Sequence, residues 1–384
     1  DTLAEEVTEV SSFQSSGLHR TETELADKDA IHETIGGIDI SYFREQLTIG
    51  IAAVYFGYDT ELNKDISPYE MYDFEGDQLL NASLHYSYLF RNILFFGETA
   101  MSDNKKVGTL NGIIMPIDKT VDLTVSYRYY DPAYQTLYAL AFSENSLPQN
   151  EEAIYMGLEI KPVRTWKISG YIDLYKNPWL EFDADAPAYG TDLLGEVNFK
   201  PNKIFETYLR FKNEVSDNNL SSVYTEDEEH DIIGNREKGY IRWHMIYKIN
   251  SAIILKSRVE HSYYEEQTGI PEKGYLVYQD VHYDPLNFPL SFSTRITFFN
   301  TDSYNTRIYT YENDVLYAYS IVALSGRGMR SYLTLAYSPF KWMDMWFRIG
   351  QTWYDDNDEV IGSGLDAITG NTKSDAKLQI RLKW

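Results

Sequence analysis

Apolar and polar positions alternate one by one along most of this chain. From Asp375 to the end, Ala376, Leu378, Ile380, Leu382 and Trp384 take one side, and Asp375, Lys377, Gln379, Arg381 and Lys383 take the other. Upstream, Leu47, Ile49, Ile51, Ala53 and Tyr55 share a side. Leu80, Ala82, Leu84, Tyr86, Tyr88 and Phe90 oppose Asn81, Ser83, His85 and Ser87. Val121, Leu123, Val125, Tyr127 and Tyr129 oppose Asp122, Thr124, Ser126 and Arg128. Phe205, Leu209 and Phe211 oppose Glu206, Arg210 and Lys212, and Ile241, Trp243, Met245, Tyr247 and Ile249 oppose Arg242, His244 and Lys248. Period two is the signature of strands with one apolar and one polar face.

Such strands build either a soluble sandwich or a membrane barrel. The strands run to roughly 10–13 residues, the length a tilted spanning strand needs. Aromatic residues gather at the ends of the apolar faces, as in interfacial girdles. Short connections (Arg91-Asn92, Ile117 to Lys119, Lys200 to Lys203, Asn250-Ser251, Ser338 to Trp342) alternate with long ones (Thr60 to Gln78, Asp131 to Glu151, Asn177 to Thr191, Asp217 to Gly239, Asp355 to Asn371). A membrane barrel has short periplasmic turns and long external loops, and a sandwich has no reason to alternate them. The prediction is an all-β, antiparallel transmembrane β-barrel of a Gram-negative outer membrane, with about 16–20 strands. Leu378, Ile380, Leu382 and Trp384 read as its terminal strand signal.

Counting alternating runs gives about 17 strands from Ile35 to Trp384. Bacterial barrels are even-numbered. The parity therefore predicts a further strand, either upstream of Asp1 or within Val7 to Phe13. Residues 1–33 are read as an external loop or N-terminal extension, and 34–384 as the barrel, the C-terminal part of a longer protein.

The chain has 384 residues, 43% hydrophobic and 15% aromatic, with 33 Tyr. A mean hydropathy of −0.41 and the lack of a long apolar run exclude a helical membrane protein. They leave a barrel open, since only alternate residues meet lipid. Cysteine is absent, which removes disulfides and thiolate chemistry. The net charge of −24 speaks against direct nucleic-acid contact by bulk charge. Two acidic stretches, Glu226 to Asp231 and Asp355 to Glu359, read as solvated loops, with a weak Ca²⁺ site as the alternative. No metal site or cofactor is predicted.

Several stretches resemble the helix-hairpin-helix-containing outer-membrane proteins of Bacteroidetes, often labelled ComEA-like. They are SGLHRTETELADKDAIHET (16–34), LHYSYLFRN (84–92), NPWLEFDADAPAYGTD (177–192), RIYTYENDVLYAYSI (307–321) and IGSGLDAITGN (361–371). The resemblance implies a β-rich C-terminal region behind small helical hairpins. Those hairpins are not in this sequence, so no DNA-binding role attaches to any residue of it.

Chemistry concentrates on the polar faces. Arg128, Arg210, Arg242, Lys256, Arg258, Arg295, Arg348 and Arg381 are predicted to face the lumen, as are Asp122, Glu159, Asp173, Glu206, Glu260 and Asp344. Buried charges must be paired or hydrated. The first reading is a network of ion pairs that fills or braces the barrel, and the second a charged pore that selects solutes. His85 and His244 are the inward candidates among seven His, but no G-x-S-x-G elbow accompanies them, and no enzyme is predicted. The segment Tyr309 to Val315 (YTYENDV) has three readings: a belt strand with an external tip, which is favoured, a loop folded inward onto lumen Arg, or a carbohydrate-stacking surface. NPWLEFDADAP is read as an ordered external loop, with sugar or cation binding by Trp179, Asp183 and Asp185 as the alternative.

The functional expectation is a porin-like conduit, passive or gated, with a charged lumen. The alternatives are a non-conducting scaffold subunit of an outer-membrane complex, and the barrel part of a DNA-uptake-related protein. The expected partners are the lipid bilayer and lipopolysaccharide, together with other outer-membrane proteins or an N-terminal segment of the same protein.

Overall fold

Each alternating run becomes a β-strand in the computed structural model, which describes residues 9–13, 17–220, 232–355, 360–362 and 364–384. Among the described residues, one eighteen-stranded sheet holds seventeen long strands and the two-residue strand Glu9–Val10. The seventeen match the count taken from the alternation. The fold is that of a transmembrane β-barrel. The chain divides into two units: Asp1–Leu158, Ile172–Thr191 and Ser216–Ile233, then Glu159–Tyr171, Asp192–Val215 and Gly234–Trp384.

In the first unit, β1 (Glu33–Arg44), β2 (Leu47–Leu62), β3 (Gly76–Phe90), β4 (Ile93–Ser102), β5 (Val107–Asp118) and β6 (Val121–Tyr130) pair antiparallel in chain order. Ile40 stands opposite Ile51, and Ile51 opposite Leu84. All three are exposed. Opposed residues of a ladder share a face, so this is a continuous apolar row open to the surroundings. In water such a row would be a large unpaid penalty, and in hydrocarbon it is the favoured surface. The turn between β1 and β2 places Glu45 at φ 47°, and that between β3 and β4 places Arg91 at φ 55°, as tight hairpin turns require.

The opposite face of β2 carries an apolar cluster that the alternation did not announce. Phe56, Tyr58, Leu62, Phe74 and Leu79 are buried together, with Val10 and Phe13 packed against them. Phe13 stacks on Tyr58 at 4.4 Å. Glu9–Val10 pairs in parallel with Glu61 and Leu62. The described part of the Val7–Phe13 stretch is therefore a two-residue bridge, too short to span a bilayer.

The strict alternation of short and long connections is corrected in one place here. β4 and β5 are joined by residues 103–106, a tight turn in which Ser102 N donates to Lys106 O at 3.0 Å. A long loop was expected at that end. Four more strands, β7 (Glu151–Val163), β8 (Trp166–Asn177), β9 (Ala188–Phe199) and β10 (Phe205–Asn219), have residues in each unit.

The second unit contains β11 (Ile233–Lys248), β12 (Ile253–Glu266), β13 (Glu272–Tyr283) and β14 (Leu290–Thr301). A separate hairpin follows, β15 (Ile308–Glu312) with β16 (Ser320–Leu324), and then β17 (Arg327–Phe340), β18 (Met343–Tyr354) and β19 (Thr372–Leu382). β14 pairs directly with β17, so the hairpin stands outside the main ladder. Trp243, Val277, Phe298, Phe347 and Ile380 make the exposed apolar face. Phe340 stacks on Trp342 at 5.2 Å beside the β17–β18 turn, and Trp166 meets Phe199 at 4.5 Å, aromatic pairs of the kind that sit at a membrane interface. β12 and β13 are joined by the short run 267–271, a second exception to the expected long loops.

Glu226 to Asp231 and Asp356 to Glu359 lie outside the described residues. Asp355 is described and pairs with Arg327 at 3.0 Å.

Candidate functional site

The polar face of the second unit holds the hairpin β15–β16. Its stem is closed by Thr301 and Gly326: Thr301 N donates to Gly326 O, and Gly326 N to Thr301 Oγ1, both at 2.8 Å. Gly326 has φ +78°, which only glycine adopts without strain. A second glycine admits the stem to the wall. A Cβ on Gly274 would come within 2.6 Å of Thr306 O and 2.3 Å of Ser262 Oγ. With none there, Ser262 Oγ donates to Thr306 O at 2.7 Å.

Period two persists in β15 but sorts residues differently. Ile308, Thr310 and Glu312 are buried, while Tyr309 and Tyr311 are exposed. Ile308 and Leu324 pack on Leu276, Tyr278 and Phe299. Four arginines from the wall complete the attachment. Arg258 Nη1 donates to Tyr309 O at 3.2 Å, and Arg295 Nη1 to Tyr311 O at 2.8 Å. Arg330 grips Glu312 bidentately at 2.7 and 2.9 Å, and Arg348 Nη2 meets the same carboxylate at 2.5 Å. Arg348 Nε also donates to Asn313 O at 3.2 Å. Beyond Glu312, Asp314 accepts from Lys377 Nζ and Ser320 Oγ, each at 2.6 Å. Burial works against ionisation of Asp314, but Lys377, Ser320 and the Val315 N–H together hold its carboxyl below the usual aspartate range. The favoured reading of YTYENDV as a belt strand with an external tip is therefore corrected. The segment folds onto the polar face because Glu312 finds two buried arginines there.

The predicted lumen-facing residues all stand on the polar faces of their strands. Arg128 bonds Glu151 and reaches Asp173 at 3.0 Å. Arg210 pairs with Glu196 at 2.5 Å, Arg242 with Glu260 at 2.5 Å, and Arg258 with the same Glu260. Arg295 pairs with Asp280, and Lys256 stands opposite Asp280 in the register. Arg348 also pairs with Asp375, and Arg381 meets Asp344 at 2.6 Å. Glu159 lies between Lys161 and Lys167, and Glu206 pairs with Lys200 at 2.6 Å. Asp122 is half-buried opposite Pro116. Leu378, Ile380, Leu382 and Trp384 are exposed on the other face. Arg330, Glu312 and Asp314 complete the hairpin site and were not among the predicted residues. Arg330 shares its face with Tyr332 and Thr334, the alternation that could have found it.

In the first unit the long loops pack together. Arg128 lies 4.7 Å from the Phe142 ring centre, and Glu151 accepts the Glu144 N–H at 2.8 Å. Glu181 Oε1 gathers the side-chain amides of Asn150, Asn145 and Asn177 at 2.6, 3.1 and 3.1 Å. Burial pushes the Glu181 carboxyl above the usual glutamate range against those donors. Trp179 donates from its indole to Pro68 O at 3.1 Å and meets Tyr72 edge-on. NPWLEFDADAP is thus an ordered loop, as the favoured reading had it.

His85 bonds Asp39 at 2.9 Å, and buried His244 stacks on Tyr208 at 5.0 Å. His282 Nδ1 lies 2.7 Å from Ser293 Oγ, with no carboxylate on the ring among the described residues. No group of three or more His, Asp or Glu that could hold a metal forms among the described residues.

No family model and no curated protein matches the sequence. Solved structures with a similar strand arrangement are outer-membrane proteins. The copper transporter OprC is 10% identical with a TM-score of 0.45, over 84% of this chain and 60% of its own. An anion-selective porin from Comamonas acidovorans is 7% identical with a TM-score of 0.40, over 91% of this chain and 99% of its own. OccAB2 from Acinetobacter baumannii is 12% identical with a TM-score of 0.41, over 91% of each. This chain spans 60% of the copper transporter's length. The likeness is one of fold alone. With its exposed apolar rows and charged opposite face, this chain is itself a β-barrel of the Gram-negative outer membrane.

Proposed function

We propose that the chain is an outer-membrane conduit with a charged inner face, narrowed by the hairpin β15–β16. The observation that supports this reading is the attachment itself. Four arginines hold the hairpin from one side, and Tyr309 and Tyr311 are left exposed. A segment that served only to fill space would bury its aromatic rings.

Single-channel recording in planar bilayers tests it. Replacing residues 308–324 by a short Gly-Ser turn should raise the unitary conductance. Arg242→Glu or Arg258→Glu should move the ion selectivity toward cations. A wild-type protein and a deletion variant that are both electrically silent would sink the conduit.

The second reading, a non-conducting scaffold subunit, draws on the tightly bonded loops around Glu181. Extraction in mild detergent separates the two. Stoichiometric partners would favour the scaffold, and a free monomer that conducts would favour the conduit. A role in DNA uptake stands on the sequence resemblance alone, and normal uptake after deletion of the gene would remove it.

A further inference from the structure

A cavity of about 490 Å³ opens beside the base of the hairpin in the second unit. That is within the range of about 300–1,000 Å³ usual for small-molecule sites. Its charge is opposite to that of the chain. Lys212, Arg236, Lys238, Arg242 and Arg307 line it against Glu214 and Glu260 alone, in a protein of net charge −24. Lys238 pairs with Glu214 at 2.9 Å, Arg242 with Glu260 at 2.5 Å, and Lys212 with Asp192 at 3.0 Å. Arg307 is different. Its Nε donates to the Tyr309 hydroxyl at 2.8 Å and its Nη1 to Tyr304 O at 2.7 Å, and it has no carboxylate among the described residues. Both contacts hold the guanidinium in place without neutralising it.

The rest of the lining is aromatic and hydroxylated. Tyr240 lies under the Arg242 guanidinium at 4.5 Å. The Tyr263 hydroxyl donates to Asn213 at 3.0 Å, and that of Tyr264 to Glu266 at 2.7 Å. Gly239 makes room for Tyr263, since a Cβ there would come within 2.4 Å of its hydroxyl. The rings are thus fixed. Ser262, Asn305 and the carboxylates offer further polar atoms.

We infer that this cavity binds an acidic sugar, a pyranose ring bearing a carboxylate. Arg307 takes the carboxylate in a charge-assisted pair. The tyrosine faces take the C–H side of the ring, and the polar lining takes its hydroxyls. A divalent cation does not suit a lining with five cationic side chains. An aromatic acid would leave the cavity's polar groups without partners, which is costly. The inference rests on the conduit reading only for the route by which the sugar arrives.

The test is titration calorimetry on the full chain in detergent, with D-galacturonate and its uncharged counterpart D-galactose. Galacturonate should saturate the protein and bind at least tenfold tighter than galactose. Arg307→Gln should weaken galacturonate at least tenfold and leave galactose unchanged. Tyr263→Ala should weaken both. Equal affinities, absent galacturonate binding, or indifference to Arg307→Gln would overturn the assignment. Should Arg307→Gln fail to fold, the wild-type contrast between the two sugars still decides it. Conductance of the same preparations separates the two proposals. A barrel that conducts but ignores galacturonate removes the sugar site only, and one that binds it but stays silent removes the conduit only.

Discussion

Glu312 is fully buried and faces Arg330 and Arg348, both almost fully buried. Removing Glu312 takes away the one fully buried carboxylate that both arginines share and leaves them to the partly exposed Asp375 and, for Arg348, to Asp314 at 3.9 Å. Glu312→Ala should therefore destabilise by about 3–5 kcal/mol, read as a fall in urea midpoint, and should open the hairpin to proteolysis near Tyr317. Asp314 adds a pH dependence of known sign. Its folded carboxyl is held below its unfolded value, so its contribution is complete above about pH 4 and is lost as pH falls through the lower folded value. Melting scans from about pH 6 to about pH 3 should show the midpoint falling at the acid end, and Lys377→Met should flatten that slope. An unchanged slope in Lys377→Met would mean that another carboxylate carries the effect.

Among elements, the long strands were legible because alternation is a local property. A residue's face follows from its neighbours two positions away. The polar register of Arg128, Arg242 and Arg348 followed for the same reason. The inward hairpin was not legible, since YTYENDV reads with the same period two whichever way it lies. Its direction is fixed by Glu312 meeting Arg330 and Arg348, which come from two later strands. Arg330 itself was missed because its strand opens with the mixed run Arg327 to Ser331 before the alternation becomes clean. The buried cluster around Phe56 was hidden likewise, because Leu79 adjoins Leu80 in sequence but faces the other way. The loops of the first unit depend on one carboxylate. Glu181→Ala removes the carboxylate acceptor that three amides share, leaving them only backbone carbonyls such as Gln149 O, Trp179 O and Asn150 O, and should cost about 1–3 kcal/mol. Glu181→Gln keeps an acceptor oxygen and removes the buried charge, so it should be neutral or stabilising at pH 7. Thermal melts of the pair check this, and equal losses would remove the acceptor role.

For the whole molecule, the bilayer sets the rules. Leu84 is exposed near the middle of β3, in the apolar row with Ile40 and Ile51. Leu84→Arg should cost about 2–4 kcal/mol in a bilayer. Ser83→Arg, one position away on the polar face, should cost much less. Folding yield into lipid vesicles, scored by heat-modifiable mobility, compares them, and equal yields would mean the faces are misassigned. The hairpin also has a consequence for how such a protein can change. The wall arginines take the main-chain carbonyls of Tyr309 and Tyr311, and every residue has a carbonyl. The attachment is therefore blind to which side chains sit at those two positions. Tyr311 can be exchanged while the scaffold that carries it stays the same, whereas exchange of Tyr309 also releases Arg307 from its hydroxyl, so the exposed surface of the hairpin can be rewritten without dismantling its anchor.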